Sequence, residues 1–183
     1  MAAMTHAAIS GQPLDIPDPG RYQINPERST VTIRTRHLFG LGTVRATLAL
    51  RDGCIQVTTP PEASTVQARF AASTFRSGNQ ARDAAVLSPR LLGAEAYPRL
   101  SFTSTELARQ HGQWSLRGRL TVRDASRLVE ARINTLENDG TTLLATAQVT
   151  IDRYDFGITA YRGLAARMLT IGLVITAHRE IES

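Results

Sequence analysis

The 183-residue sequence contains no lysine. All 21 basic residues are arginine and stand against 16 carboxylates, for a formal net charge of +5. It has one cysteine, Cys54, which excludes an internal disulfide and any multi-cysteine metal site. Aromatic residues make up 5% of the chain, so an interior must be mainly aliphatic. No run of 18 apolar residues exists, and no transmembrane helix is expected. The opening "MAAMTHAAIS" lacks a basic stretch followed by an apolar run, so no secretory signal is expected and the reading is cytoplasmic. No HxH, HExxH or His–carboxylate spacing points to a metal. No GxSxG, P-loop or GxGxxG after a strand assembles a catalytic set, and the chain reads as a non-enzyme.

The basic balance alone would suit nucleic acid or anionic lipid. The arginines, however, stand singly on the polar phase of alternating segments, as at Arg34, Arg36, Arg45, Arg69, Arg117, Arg119 and Arg123. No basic arm or aromatic-interleaved RNA motif accompanies them, and no nucleic-acid partner is expected.

What the sequence does contain is alternation. Residues 1–19 are small, polar and Pro-rich and read as a flexible or extended arm. A single domain follows over 20–183. Val31, Ile33 and Thr35 share one face, and Val44, Ala46, Leu48 and Leu50 repeat the pattern after the turn "FGLG". A short apolar run at Ile55 and Val57 leads into "TTPPEAS", then Val66, Ala68 and Phe70. Further rows are Leu100 and Phe102; Trp114 to Val122; Val129, Ala131 and Ile133; Leu143 to Ile151; and Leu169 to Ala177. "HGQ" and "ENDG" mark hairpins. About eight strands with short turns and one apolar face predict an all-β, antiparallel sheet that closes into a barrel or folds as a sandwich.

The apolar rows are rich in small residues: Ala46, Ala68, Gly118, Ala131, Ala145, Ala147 and Ala177. Two readings stand: a barrel of this size can hold one small ligand, or larger neighbours fill its centre. "STFRSGNQARD" interrupts the alternation. It predicts a helix over Asn79 to Leu87, capped by Ser77 or Asn79, ended by Pro89 and covering a barrel end.

"STFRSGNQARD", "LLGAEAYPRLSFTS", "GRLTVRD" and "IDRYDFGI", with "YQINPERSTVTIRTRHLFGLGTVRA" upstream, resemble the YceI-like family in order and spacing from about Gly20 onward. The resemblance implies an eight-stranded, lipocalin-like barrel with a short helical insert, often a homodimer. It also implies an isoprenoid ligand, a polyprenol or prenyl quinone, with its tail inside. Leu144 and Val174, off the inward phase, are candidates for a subunit contact. The chain departs from the family at Ala85, Ala46, Leu48 and Asp124, where His, Gly, Phe and Gly respectively are usual.

The residues expected to contact the ligand are Val31, Ile33, His37, Phe70, Phe102, Trp114, Leu116, Leu120, Leu169, Ile171 and Leu173. His37 ends a strand before "FGLG", as either a head-group partner at the mouth or a structural histidine. Arg82 and Asp83 either contact a ligand head group at the cavity mouth or anchor the helix. Asp152, Arg153 and Asp155 suggest a polar corner, with Tyr154 or Phe156 over an opening. The leading expectation is a carrier or store of an isoprenoid lipid. A quinone-presenting redox accessory and a packed interaction barrel are the alternatives.

Overall fold

The structure, a computed structural model, describes residues 16–37 and 42–180, with the side chains of residues 36 and 37 outside that description. The expected turn at 38–41 and residues 1–15 of the expected arm also lie outside it. Nine strands run in chain order: β1 (Gly20–Ile24), β2 (Thr30–His37), β3 (Gly42–Val57), β4 (Thr65–Arg76), β5 (Arg99–Gln110), β6 (Gln113–Val122), β7 (Ala125–Asn138), β8 (Thr142–Asp152) and β9 (Met168–Arg179). Helix α1 (Gln80–Leu87) lies between β4 and β5.

The sheet is antiparallel and closed. β2 to β9 form a ring of eight, with β3 bonded to β4 and β2 bonded to β9. β1 and β2 share one place in that ring, both lying between β3 and β9. β1 pairs with Cys54–Val57 and Ala177–Arg179, while β2 pairs with Gly42–Leu48 and Thr170–Val174. Between them the Asn25 side chain accepts from the Glu27 and Arg28 amides, turning the chain as a short polar residue does. The expected eight-stranded barrel is therefore present, with one position filled by two short segments. Closure removes the strand edges along most of the barrel.

Period-two patterning produces these strands. In β3, Val44, Ala46, Leu48 and Leu50 are buried, and Arg45, Thr47, Ala49 and Arg51 are exposed. The β5–β6 turn is His111–Gly112, closed by the Gln110–Gln113 pair. Both residues have positive φ, 50° and 81°, the twist a two-residue hairpin needs.

α1 forms where alternation stops. The Asn79 side chain accepts from the Arg82 amide and caps the first turn, and Ser88 with Pro89 ends the helix. Val86 and Leu87 pack with Val31, Ala46, Leu48 and Phe75. The barrel thus has a helix end, covered by α1 and by residues 153–167, and a terminal end where β1 begins and β9 stops. Tyr22, Ile24, Leu50, Val57, Ala68, Leu143 and Ala177 form the core nearest the terminal end.

Candidate functional site: the barrel cavity

The inward rows do not fill the barrel. A cavity of about 290 Å³ runs through it, and its lining is almost wholly apolar. A single water needs only about 10–15 Å³, so this space is far beyond a packing defect. Genuinely apolar cavities stay dry and favour apolar occupants.

The two readings of the small residues divide by position. Gly118 faces inward, but the Phe102 ring covers it. Ala46 is buried under the helix end with Leu48 and Phe75. Ala68, Ala131, Ala145 and Ala147, in contrast, border open space.

Val31, Ile33, Phe70, Phe102, Trp114, Leu116, Leu120, Leu169, Ile171 and Leu173 all line the cavity, and so does Phe156. His37 ends β2 and pairs with Gly42, but its side chain lies outside the described residues. Arg82 and Asp83 are not part of the lining. Asp83 Oδ1 accepts from the Ser77 amide at 2.8 Å and from its hydroxyl at 2.5 Å. Arg82 Nε donates to Ser77 Oγ at 2.7 Å and Arg82 Nη2 to Ser77 O at 2.9 Å. Both side chains therefore tie the start of α1 to the end of β4. Leu144 and Val174 lie on the outer phase, opposite Thr176 and Thr146 respectively.

Lining residues outside the inward rows read from the sequence include Leu107 and Leu136. Each follows a bulge, between Ser104 and Glu106 in β5 and between Ile133 and Thr135 in β7. One extra residue reverses which parity faces in. At the terminal end Ile16 and Pro17 also line the cavity, with Pro61 and Ser64. The segment leading into β1 is held there by Tyr22 OH donating to Asp18 O and Arg179 Nη2 donating to Pro19 O.

At the helix end the wall parts. The β7–β8 ladder stops at the Arg132–Gln148 pair, and among the described residues Val149–Asp152 pair only with β9. Phe156 and Ile158 fill the parting, packing with Leu120, Ala131, Val149 and Ile151. Arg153 holds this filling in place. It is 5% exposed and donates to four backbone carbonyls: Nε to Ala166 at 2.8 Å, Nη1 to Ile158 at 2.6 Å and Ala160 at 2.8 Å, Nη2 to Ala165 at 3.2 Å. Burial holds its pKa below the usual arginine value. Asp152, beside it in sequence, instead pairs with Arg167 at 2.5 Å and accepts from the Tyr154 amide at 2.9 Å.

The described residues hold no group of three or more His, Cys, Asp or Glu placed for a metal ion, and no helix among them is long and apolar enough to cross a membrane. The chemistry of the site is apolar enclosure.

The profile of the YceI-like domain matches residues 22–182. The chain belongs to the YceI-like family. No curated protein matches it by sequence. Among solved structures, BcnA of Burkholderia cenocepacia superposes with a TM-score of 0.74 at 15% identity, covering 84% of this chain and 98% of that one. A polyisoprenoid-binding domain from Saccharophagus degradans, implicated in plant cell wall breakdown, gives 0.64 at 11% identity over 87% and 98%. The Campylobacter jejuni YceI protein gives 0.57 at 20% identity over 80% and 90%. At these identities the structural likenesses establish the fold. The barrel with its helix end is the family architecture, and in this chain the cavity is bounded by the residues named above.

Proposed function

We propose that this protein binds an isoprenoid lipid, a polyprenol or a prenyl quinone, as a carrier or store and not as an enzyme. The observation that carries the reading is the cavity: about 290 Å³ bounded by side chains such as Ile33, Phe70, Leu116 and Ile171, with the buried Arg153 guanidinium engaged by carbonyls. Each isoprene unit transferred from water to such a space contributes about 2–3 kcal/mol at ~25 cal/mol per Å². The similarity to a polyisoprenoid-binding domain favours this ligand class. Recognition rests on the tail, and a polar head group stays at an end of the barrel.

The test is organic extraction of freshly purified protein with mass spectrometry of the extract, followed by uptake of polyprenols and prenyl quinones of several chain lengths. A stoichiometric prenylated species, or saturable uptake, supports the reading. An empty extract with no uptake at any chain length sinks it. The homodimer implied by the family stays part of the proposal, and sedimentation equilibrium of the wild type and of Val174→Glu tests it.

A further inference from the structure

The barrel has two chemically different ends. Residues 76–99, 122–127 and 152–168, which build the helix end, contain nine arginines and five carboxylates. Residues 16–29, 51–64, 106–113, 130–142 and 177–180, which build the terminal end, contain six arginines and nine carboxylates. On these residues the helix end carries a net charge of +4 and the terminal end −3, so the two ends differ in sign.

Exposed apolar residues gather at the same end. Leu164, Leu128 and Met168 are the three most exposed large apolar side chains among the described residues, at 61, 59 and 50%. Leu164 lies in the 153–167 loop that covers the parted wall, Met168 opposite Asp152 at the start of β9, and Leu128 early in β7, the strand that borders the parting. Arginine and tyrosine alternate around them. Arg162 and Arg167 each lie 5.0 Å from the Tyr154 ring, and Arg90 lies 4.8 Å from the Tyr161 ring. Of the two carboxylates in that loop region, Asp152 is already engaged by Arg167.

We propose that the helix end docks on the surface of an anionic phospholipid bilayer, with Leu164 inserted at the head-group level and Arg90 and Arg162 against lipid phosphates. Side chains with an apolar body and a polar tip suit that boundary. Cationic residues near an anionic leaflet each strengthen attachment several-fold, within a Debye length of the surface. An acidic protein partner would satisfy the arginines but would leave Leu164, the most exposed of these side chains, without a reason. Docking at this end sets the parting between β7 and β8 against the membrane, where an isoprenoid resides. In that respect the inference extends the lipid-carrier reading, but its test does not depend on which lipid is carried.

The test is flotation of the full chain with phosphatidylcholine vesicles, with and without phosphatidylglycerol, at low and high salt. The expected result is flotation with phosphatidylglycerol only, weakened by salt. Arg162→Glu and Leu164→Glu should each lower the partition coefficient about fivefold or more. Arg51→Glu, the same charge change outside the helix end, should lower it less. Far-UV circular dichroism and prenol uptake from detergent show whether each variant is folded and loaded. No flotation on anionic vesicles overturns the proposal, even if the protein shifts DNA in a gel. An Arg51→Glu loss equal to that of Arg162→Glu also overturns it, because net charge alone would then account for binding. Flotation without prenol uptake would leave docking standing and sink the carrier reading; uptake without flotation would do the reverse.

Discussion

The Phe102 ring lies directly over Gly118 on the neighbouring strand, so close that a Cβ on Gly118 would stand 2.3 Å from Phe102 Cζ and 2.7 Å from Thr103 O. The glycine is the seat of the aromatic ring and leaves no void of its own. This pairing turns Phe102 across β6 and determines how much of the barrel centre its ring occupies.

Gly118→Ala should therefore destabilise the fold by about 1–3 kcal/mol, the usual cost of overpacking a filled site. Part of the clash is with backbone, so Phe102→Leu in the same chain should recover only part of the loss. Urea denaturation of the two single variants and the double variant measures this, and full additivity would show that the ring and the glycine do not interact.

Arg153 gives a second expectation. Its side chain satisfies four carbonyls of residues 158–166 and holds Phe156 and Ile158 in the wall. Arg153→Met keeps much of the apolar stem but strands those carbonyls, and stability should fall by about 2–4 kcal/mol. Arg153→Lys should rescue little, because an ammonium lacks the planar fork that reaches carbonyls on several sides. Amide hydrogen exchange should rise first in residues 157–167, and release of a bound prenol should quicken. Unchanged exchange in that segment would remove the latch role.

Much of the barrel is legible in the sequence because the inward face is marked by simple alternation in β6, β8 and β9, and in β3 as far as Leu50, after which a register shift moves it to Ile55 and Val57. Legibility fails where parity flips. Leu107 and Leu136 sit after bulges, and no residue in "TSTEL" or "INTL" announces the extra position. It fails again at Arg153, which reads as one more charge in "DRYDF", since its partners are backbone carbonyls that exist only once residues 158–166 have folded over it. The balance between cavity and filled core was likewise out of reach. It depends on whether a neighbour covers each small residue, as Phe102 covers Gly118, whereas Ala145 and Ala147 line the cavity.

The β7–β8 hairpin makes the acid limb of stability testable. Asp139 Oδ1 accepts from the Thr142 amide at 2.6 Å, the Thr141 amide at 2.9 Å and the Thr141 hydroxyl at 2.9 Å. The Thr142 amide is the largest of the causes that hold its pKa below the usual aspartate value. The folded state favours the carboxylate, so its contribution is complete above about pH 4, the unfolded aspartate range. It is lost as pH falls through the lower folded value. Asp139→Asn should thus be less stable than the wild type at neutral pH, and the gap should narrow below about pH 4. A constant gap from pH 7 to pH 2 would show that the charge contributes nothing.

The cavity gives the expectation that bears most directly on function. Ala145 and Ala147 lie on β8 with their side chains toward open space, next to Ile175 and Leu173 on β9 respectively. Replacing either with Phe adds bulk where there is room for it, and stability should hold or rise as apolar area becomes buried. Ligand uptake should fall at least tenfold, because the ring takes space a prenyl chain would need. Thr146→Phe, between them on the outer phase, should leave uptake unchanged. Thermal melts and titration with a prenyl quinone separate these outcomes. If Ala147→Phe binds as the wild type does, the tail does not run past β8, and the search for its path moves to the Phe70 and Leu100 side of the barrel.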